Sequence, residues 1–342
     1  MSQVTVGDLA RRRAEIRGRY FRLGSALCAL LFLTALWRMT QGEWAIPLSR
    51  VFELLSPFLP EAQRETAEAI VVRSVRLPRF LASVGAGGLL AVSGVVLQGL
   101  LANPLAEPYT LGIASGAALG GTLGFFAGGL AVTPMAFLGA LGALWMVHAI
   151  ARRSGGGSAF LVLAGIIVSS VLSAGVTFLK AAADDRLGAI VLWLMGSLSG
   201  ASPKSAAAVW LGAAIVLIPS LICGRRLDAL SLGEGQGELL GIDEKRLRMR
   251  LLTAAALGTA LAVSHFGIIG FVGLVAPHIL RALIGPSHRP LLLFSFLLGG
   301  CLLALADGAA QRMGELPIGV VTALLGGPFF CWILVGRKAQ FQ

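Results

Sequence analysis

Between Phe80 and Ala106 the chain carries no Asp, Glu, Lys or Arg. A helix needs only about 20 apolar residues to cross a bilayer, so this run points to a membrane interior. It ends in a compact break, from Asn103-Pro104 to Glu107-Pro108, and then turns apolar again. Proline withholds a backbone donor and pushes the residue before it out of helical conformation. At membrane depth such a break persists only where protein or a cavity covers it. Asn103, Pro104, Glu107 and Pro108 therefore read as a broken-helix turn. Its carboxylate serves either a tight internal turn or a gate in a pathway wall.

Other uncharged runs occupy 23–37, 109–151, 154–179, 187–203, 205–224, 251–280, 290–306 and 316–336. Only 13% of residues are charged, about half the share usual in soluble domains. The 109–151 run splits near Gly128-Gly129 and Pro134. Ten spans are predicted, over 20–39, 78–101, 109–129, 133–151, 159–179, 204–223, 250–266, 270–285, 290–307 and 316–336. The glycine- and serine-rich run 187–203 reads as a short re-entrant or interfacial helix. The expected fold is thus all-α and polytopic.

Basic residues orient it. Arg11, Arg12, Arg13, Arg17, Arg19, Arg22, Arg152, Arg153, the cluster from Arg225 to Arg250, Arg281, Arg289, Arg337 and Lys338 fall on one side under this count. Both termini are expected in the cytoplasm. Residues 1–19 then form a basic tail and 20–338 a single transmembrane domain, with 40–77 external and 224–250 a cytoplasmic loop. The net charge of +11 reflects this asymmetry and not a nucleic-acid surface. No cleavage site follows the first apolar stretch, which is read as a retained span. The four cysteines lack CxxC spacing and read as packing residues. His278 has no second ligand at helical spacing, so no metal site is expected.

Within 224–250, Leu227–Leu232 and Gln236–Leu240 are predicted as short helices with a turn at Gly241. Leu227, Leu230, Leu232, Leu239, Leu240 and Ile242 crowd a loop in water, and such leucines need cover. They are the candidate docking surface for a cytoplasmic partner. The chain contains no GxxxxGK[ST] phosphate loop and no nucleophile–base set, so it is not read as an enzyme.

Six segments in register carry a resemblance: RLPR (Arg76–Arg79), NPLAEPYTLG (Asn103–Gly112), WLMGSLSGAS (Trp193–Ser202), LGEGQGELLGID (Leu232–Asp243), GFVGLVAPHILR (Gly270–Arg281) and ELPIGVVTALLGGPFF (Glu315–Phe330). Together they resemble the permease family that imports iron chelates, haem and vitamin B12 within type II ABC importers. The resemblance implies ten spans per subunit, a dimer (commonly a homodimer) in the inner membrane, and alternating access. It implies two partner ATPase subunits, which bind ATP and Mg, and a periplasmic or lipid-anchored substrate-binding protein. No cofactor is implied for this chain. A ferric siderophore is the expected cargo, ahead of haem or cobalamin.

By the same resemblance Arg76, Arg79 and Arg312 dock the binding protein, against the alternative that they anchor span ends. Ser169, Ser173 and Thr177 form a stripe on the fifth span, and the family's architecture places Thr322, Gly326 and Gly327 of the tenth opposite them along the pathway. Small residues at helix contacts are the other reading of both stripes. An ion-coupled secondary transporter is the alternative function, although such proteins usually bury ionisable residues in their spans.

Overall fold

The computed structural model describes residues 6–337 apart from Glu43, Leu59, Gly156 and Glu234. Lys338 lies outside the described residues, as do the side chains of Arg11, Arg12, Arg13 and Arg337. Among the described residues every regular element is helical.

The basic tail and the first span share one helix, α1 (Val6–Thr40). The 40–77 segment folds into α2 (Leu48–Leu55), α3 (Glu61–Arg64) and α4 (Ala67–Ile70). A π-helical turn, Val71–Arg76, then runs without interruption into α5 (Leu77–Leu100). After the break come α6 (Ile113–Phe126), α7 (Val132–Arg153), α8 (Ser158–Ala181), the short α9 (Leu187–Leu194) and α10 (Pro203–Ile222). Two short helices, α11 (Gly224–Leu230) and α12 (Gln236–Leu239), precede α13 (Glu244–Phe266). The chain finishes with α14 (Val272–Ile284), α15 (His288–Arg312) and α16 (Ile318–Arg337).

Helix starts follow local chemistry. Ser202 and Ser205 close a capping box ahead of α10, with Pro203 at the first helical position, where its missing N–H costs nothing. Asp243 accepts from the Arg246 N–H and caps α13. That cap starts α13 six residues ahead of the predicted span at 250–266, because charged residues continue the helix past the apolar run. Among the described residues, seven helical stretches are long and apolar enough to cross a membrane, and α6, α14 and the described part of α16 are shorter apolar helices.

At the centre stands α5, packed against α10, α13, α14 and α15. Glycines make this possible: a β-carbon at Gly87 would strike the Gly299 carbonyl, and one at Gly94 the Gly273 carbonyl. Overpacking of that kind costs about 1–3 kcal/mol. Gly94→Ala is therefore expected to lower the thermal unfolding midpoint of the detergent-solubilised chain. Gly142→Ala in α7, where the added carbon meets nothing within 4 Å, should leave it unchanged or raised; equal losses at both sites would refute this packing account.

Candidate functional site: a charged mouth, two coupled breaks and a leucine-tipped loop

Near the 40–77 end, four charged side chains interlock. Asp307 on α15 accepts Arg79 Nε at 2.9 Å and Nη2 at 2.9 Å, and also binds Arg38 of α1. The far edge of the Arg79 guanidinium grips Glu315 with two bonds of 2.9 and 2.8 Å. Arg38 reaches Gln311 at 2.7 Å as well. The cluster thereby ties α1, α5, α15 and the turn entering α16. Hydrogen bonds from Arg79, opposed by partial desolvation, hold the Glu315 carboxyl below the usual carboxylate range. Its contribution is present above the ordinary value of about 4.3 and lost as pH falls through the depressed one.

Only one of the three candidate docking arginines is exposed in this arrangement. Arg76 is 9% exposed and donates to the Met39 and Trp44 carbonyls, and Arg79 is 5% exposed within the cluster. The π-helical turn accounts for Arg76, aiming it at the chain leaving α1 instead of at solvent. Arg312 is exposed, stacked on the Trp37 ring at 5.0 Å and bonded to Gln41 at 3.1 Å.

In the interior, the break between α5 and α6 meets a second break. Ala102 takes positive φ, Asn103 Oδ1 accepts the Leu105 N–H at 2.9 Å, and Pro108–Leu111 forms a 3-10 turn ending at left-handed Gly112. From this turn the Tyr109 hydroxyl donates to the Ile269 carbonyl at 2.8 Å and accepts the Ile269 N–H at 3.2 Å. Glu107 lies beside the Phe271 backbone N–H. Ile269 and Phe271 belong to the link between α13 and α14, where Gly267 and Phe271 both have positive φ. Pro104 and Pro108 thus shape a turn whose side chains bind a second interruption. A third strand of chain joins nearby: Ser197 N–H reaches Phe266 O at 2.9 Å, and Ile318 and Gly319 N–H reach Gly196 O and Met195 O. The segment after α9 consequently clamps the end of α13 to the start of α16.

The two hydroxyl and glycine stripes separate within one chain. Ser169 is half-buried beside Gly112, while Ser173 and Thr177 are exposed on α8, which packs on α6 and α7. Thr322 and Gly326 are buried instead around a cavity of about 250 Å³ shared with α14 and α15. The reason is steric, since the Phe271 side chain occupies the space left by Gly326. Gly327 is half-buried, with open space where a β-carbon would sit.

At the 224–250 end the six apolar candidates divide. Leu227 is 0% exposed and Leu230 is also buried, because α11 turns both toward α5 and α15. Ile242 is half-buried. Leu232, Leu239 (80% exposed) and Leu240 project outward. Two carboxylates fix the loop: Asp228 Oδ1 accepts the His288 backbone N–H at 2.8 Å and pairs with its Nδ1 at 2.7 Å, and Glu244 accepts the Gly237 N–H at 2.6 Å. Desolvation raises the Asp228 pKa, but the His288 bonds and charge and nearby Arg289 outweigh it and leave the carboxyl depressed. Sequence reasoning missed Arg38, Asp228, Asp307 and Glu315 as site residues. Each lies near a span end, and single charges there look like ordinary anchors.

A multi-span helical protein with an uncovered leucine surface at one end and a charged mouth at the other has the layout of a transport subunit. The FecCD transport family matches residues 28–336, and the chain belongs to that family. It is 39% identical over 285 residues to the cobalamin import system permease protein BtuC of Halobacterium salinarum, covering 81% of this chain and 76% of that protein. It is 40% identical over 291 residues to the hemin transport system permease protein HmuU of Yersinia pestis, covering 78% and 84%. A solved inward-facing conformation of a metal-chelate type ABC transporter superposes with a TM-score of 0.80 at 32% identity, over 91% of this chain and 98% of that one. The chain is therefore a multi-pass membrane permease subunit of an ABC importer, and is not itself an ATPase.

Proposed function

We propose that this permease carries a ferric siderophore across the inner membrane by alternating access, with haem and cobalamin the next cargoes to test. Ten crossings, made by the seven long helices together with α6, α14 and α16, put both termini in the cytoplasm. The 40–77 segment is then external and 224–250 cytoplasmic. Two copies enclose the pathway, and the exposed hydroxyls of α8, Ser173 and Thr177, line it. The exposed leucines Leu232, Leu239 and Leu240 carry this reading furthest: three apolar side chains at the tip of a basic loop call for a partner. That partner is a pair of ATPase subunits, which supply the ATP and Mg. The ion-coupled alternative is set aside by family membership.

Docking of a substrate-binding protein falls chiefly to Arg312. Arg76 and Arg79 support the mouth from behind, since their hydrogen bonds are spent within the subunit. Exposed charges orient a partner more than they hold it. Arg312→Glu is expected to reduce binding-protein-stimulated ATP hydrolysis several-fold while the purified complex keeps its composition. Unchanged stimulation would remove Arg312 from the docking face.

The decisive experiment is reconstitution of the permease, its ATPase and its binding protein in liposomes. Ferric siderophore, hemin and cobalamin are offered separately, with and without ATP. ATP-dependent uptake of the siderophore alone supports the reading. Preference for another cargo corrects the substrate, and uptake without the ATPase overturns the mechanism.

A further inference from the structure

A cavity of about 570 Å³ opens at the 224–250 end, between the last turn of α7, the first turns of α8 and α13, and α12. Its chemistry is divided by depth. Ala151, Leu161 and Leu252 are buried and form an apolar wall, with Met249 beside them. Nearer the mouth stand Arg152 and Lys245, both exposed, with Arg248 and His148 half-buried. Two carboxylates share the lining, Glu238 and Glu244. Glu244 is turned away to the Gly235 and Gly237 N–H groups, leaving Glu238 exposed at the rim. Among the described residues, the exposed Arg152 and Lys245 therefore stand with Arg248 around the outward Glu238, above an apolar wall.

We propose that this cavity binds the headgroup of an anionic phospholipid from the cytoplasmic leaflet, resting on the orientation given above. A phosphodiester is recognised by Arg and Lys donors, and the volume lies within the range of small-molecule sites. The apolar wall separates a lipid from free phosphate, because it receives the glycerol and first methylenes that an inorganic anion lacks. Basic pockets between spans at this face are suited to such headgroups, and the leaflet's own negative charge concentrates them there. The bound lipid links α7 and α8 to α12 and α13, which lead directly into the leucine-tipped loop. None of the exposed leucines assigned to the ATPase lines this cavity.

The test is native mass spectrometry of the complex released from nanodiscs of phosphatidylcholine with a minor fraction of phosphatidylglycerol or cardiolipin. Wild type is expected to retain about one anionic lipid per permease. Arg152→Gln with Lys245→Gln should reduce retention about tenfold. The charge-preserving pair Arg152→Lys with Lys245→Arg should restore it, which separates lost charge from misfolding. Equal retention by all three forms overturns the proposal. So does retention of inorganic phosphate by the wild type, but not by the Gln pair, in phosphatidylcholine-only discs, which assigns the site to a free anion. If the Gln pair instead sheds the ATPase with lipid unchanged, the cavity belongs to that partner. ATP-dependent uptake is measured in parallel, so loss of lipid with transport retained leaves the functional reading intact.

Discussion

Asp307→Ala is expected to destabilise the isolated chain by about 3–5 kcal/mol, the usual cost of removing one partner from a buried ion pair. Asp307 is 1% exposed and is the shared acceptor for Arg38 and Arg79. Without it the two guanidinium groups remain in the same desolvated space, and Arg38 is left with its bond to Gln311. Glu315 provides the contrast. It bonds the same Arg79 from a position that is 43% exposed, where ion pairs contribute roughly 0–1 kcal/mol. Thermal unfolding of purified chain in detergent at neutral pH should show a large fall for Asp307→Ala and a small one for Glu315→Gln. Comparable shifts would mean that the cluster does not work as an inner and an outer partner. Asp307→Asn tests charge separately from volume and should still fall well below wild type.

Leu239→Asp combined with Leu240→Asp should abolish co-purification of the ATPase subunits while the permease itself stays folded. Both side chains project from the α12 end of the loop into water, so replacing them removes no internal packing. A carboxylate at each place strips apolar area from the contact and introduces charges that lose their water on docking. Leu227→Ala serves as the control, because that side chain is fully buried against α5 and α15. It should cost about 2–5 kcal/mol of the permease's own stability, with any effect on the ATPase following from that. A complex that survives the double aspartate change would move the interface off α12.

The positions of the spans were legible because charge, proline and glycine mark their ends in the chain itself. Helices α7, α8 and α10 begin and end close to the predicted 133–151, 159–179 and 204–223. The π-helical turn before α5 was not legible, since Val71–Arg76 contains nothing that distinguishes a wider turn from an ordinary one. Arg76 closes that turn and faces the Met39 and Trp44 carbonyls. The ion cluster was hidden for another reason: Arg79 meets Asp307 across 228 residues and Glu315 across 236, and no local periodicity reports such a meeting. In the 224–250 loop, leucine content was visible but its division was not. Leu227 and Leu230 share a face at helical spacing, and only the packing of α11 on α5 and α15 shows that this face points inward.

The enclosure of α5 bears on how the protein is made. In the most apolar window of its stretch, 94% of residues are buried by other helices, so the finished span has almost no lipid neighbours. Yet α5 is synthesised before α10, α13, α14 and α15, and is apolar enough to enter the bilayer by itself. Until the later helices arrive, its glycine face lacks the partners that cover it in the finished bundle. The native bundle can close only after α15 has emerged, which makes the last third of the chain the step that completes the first.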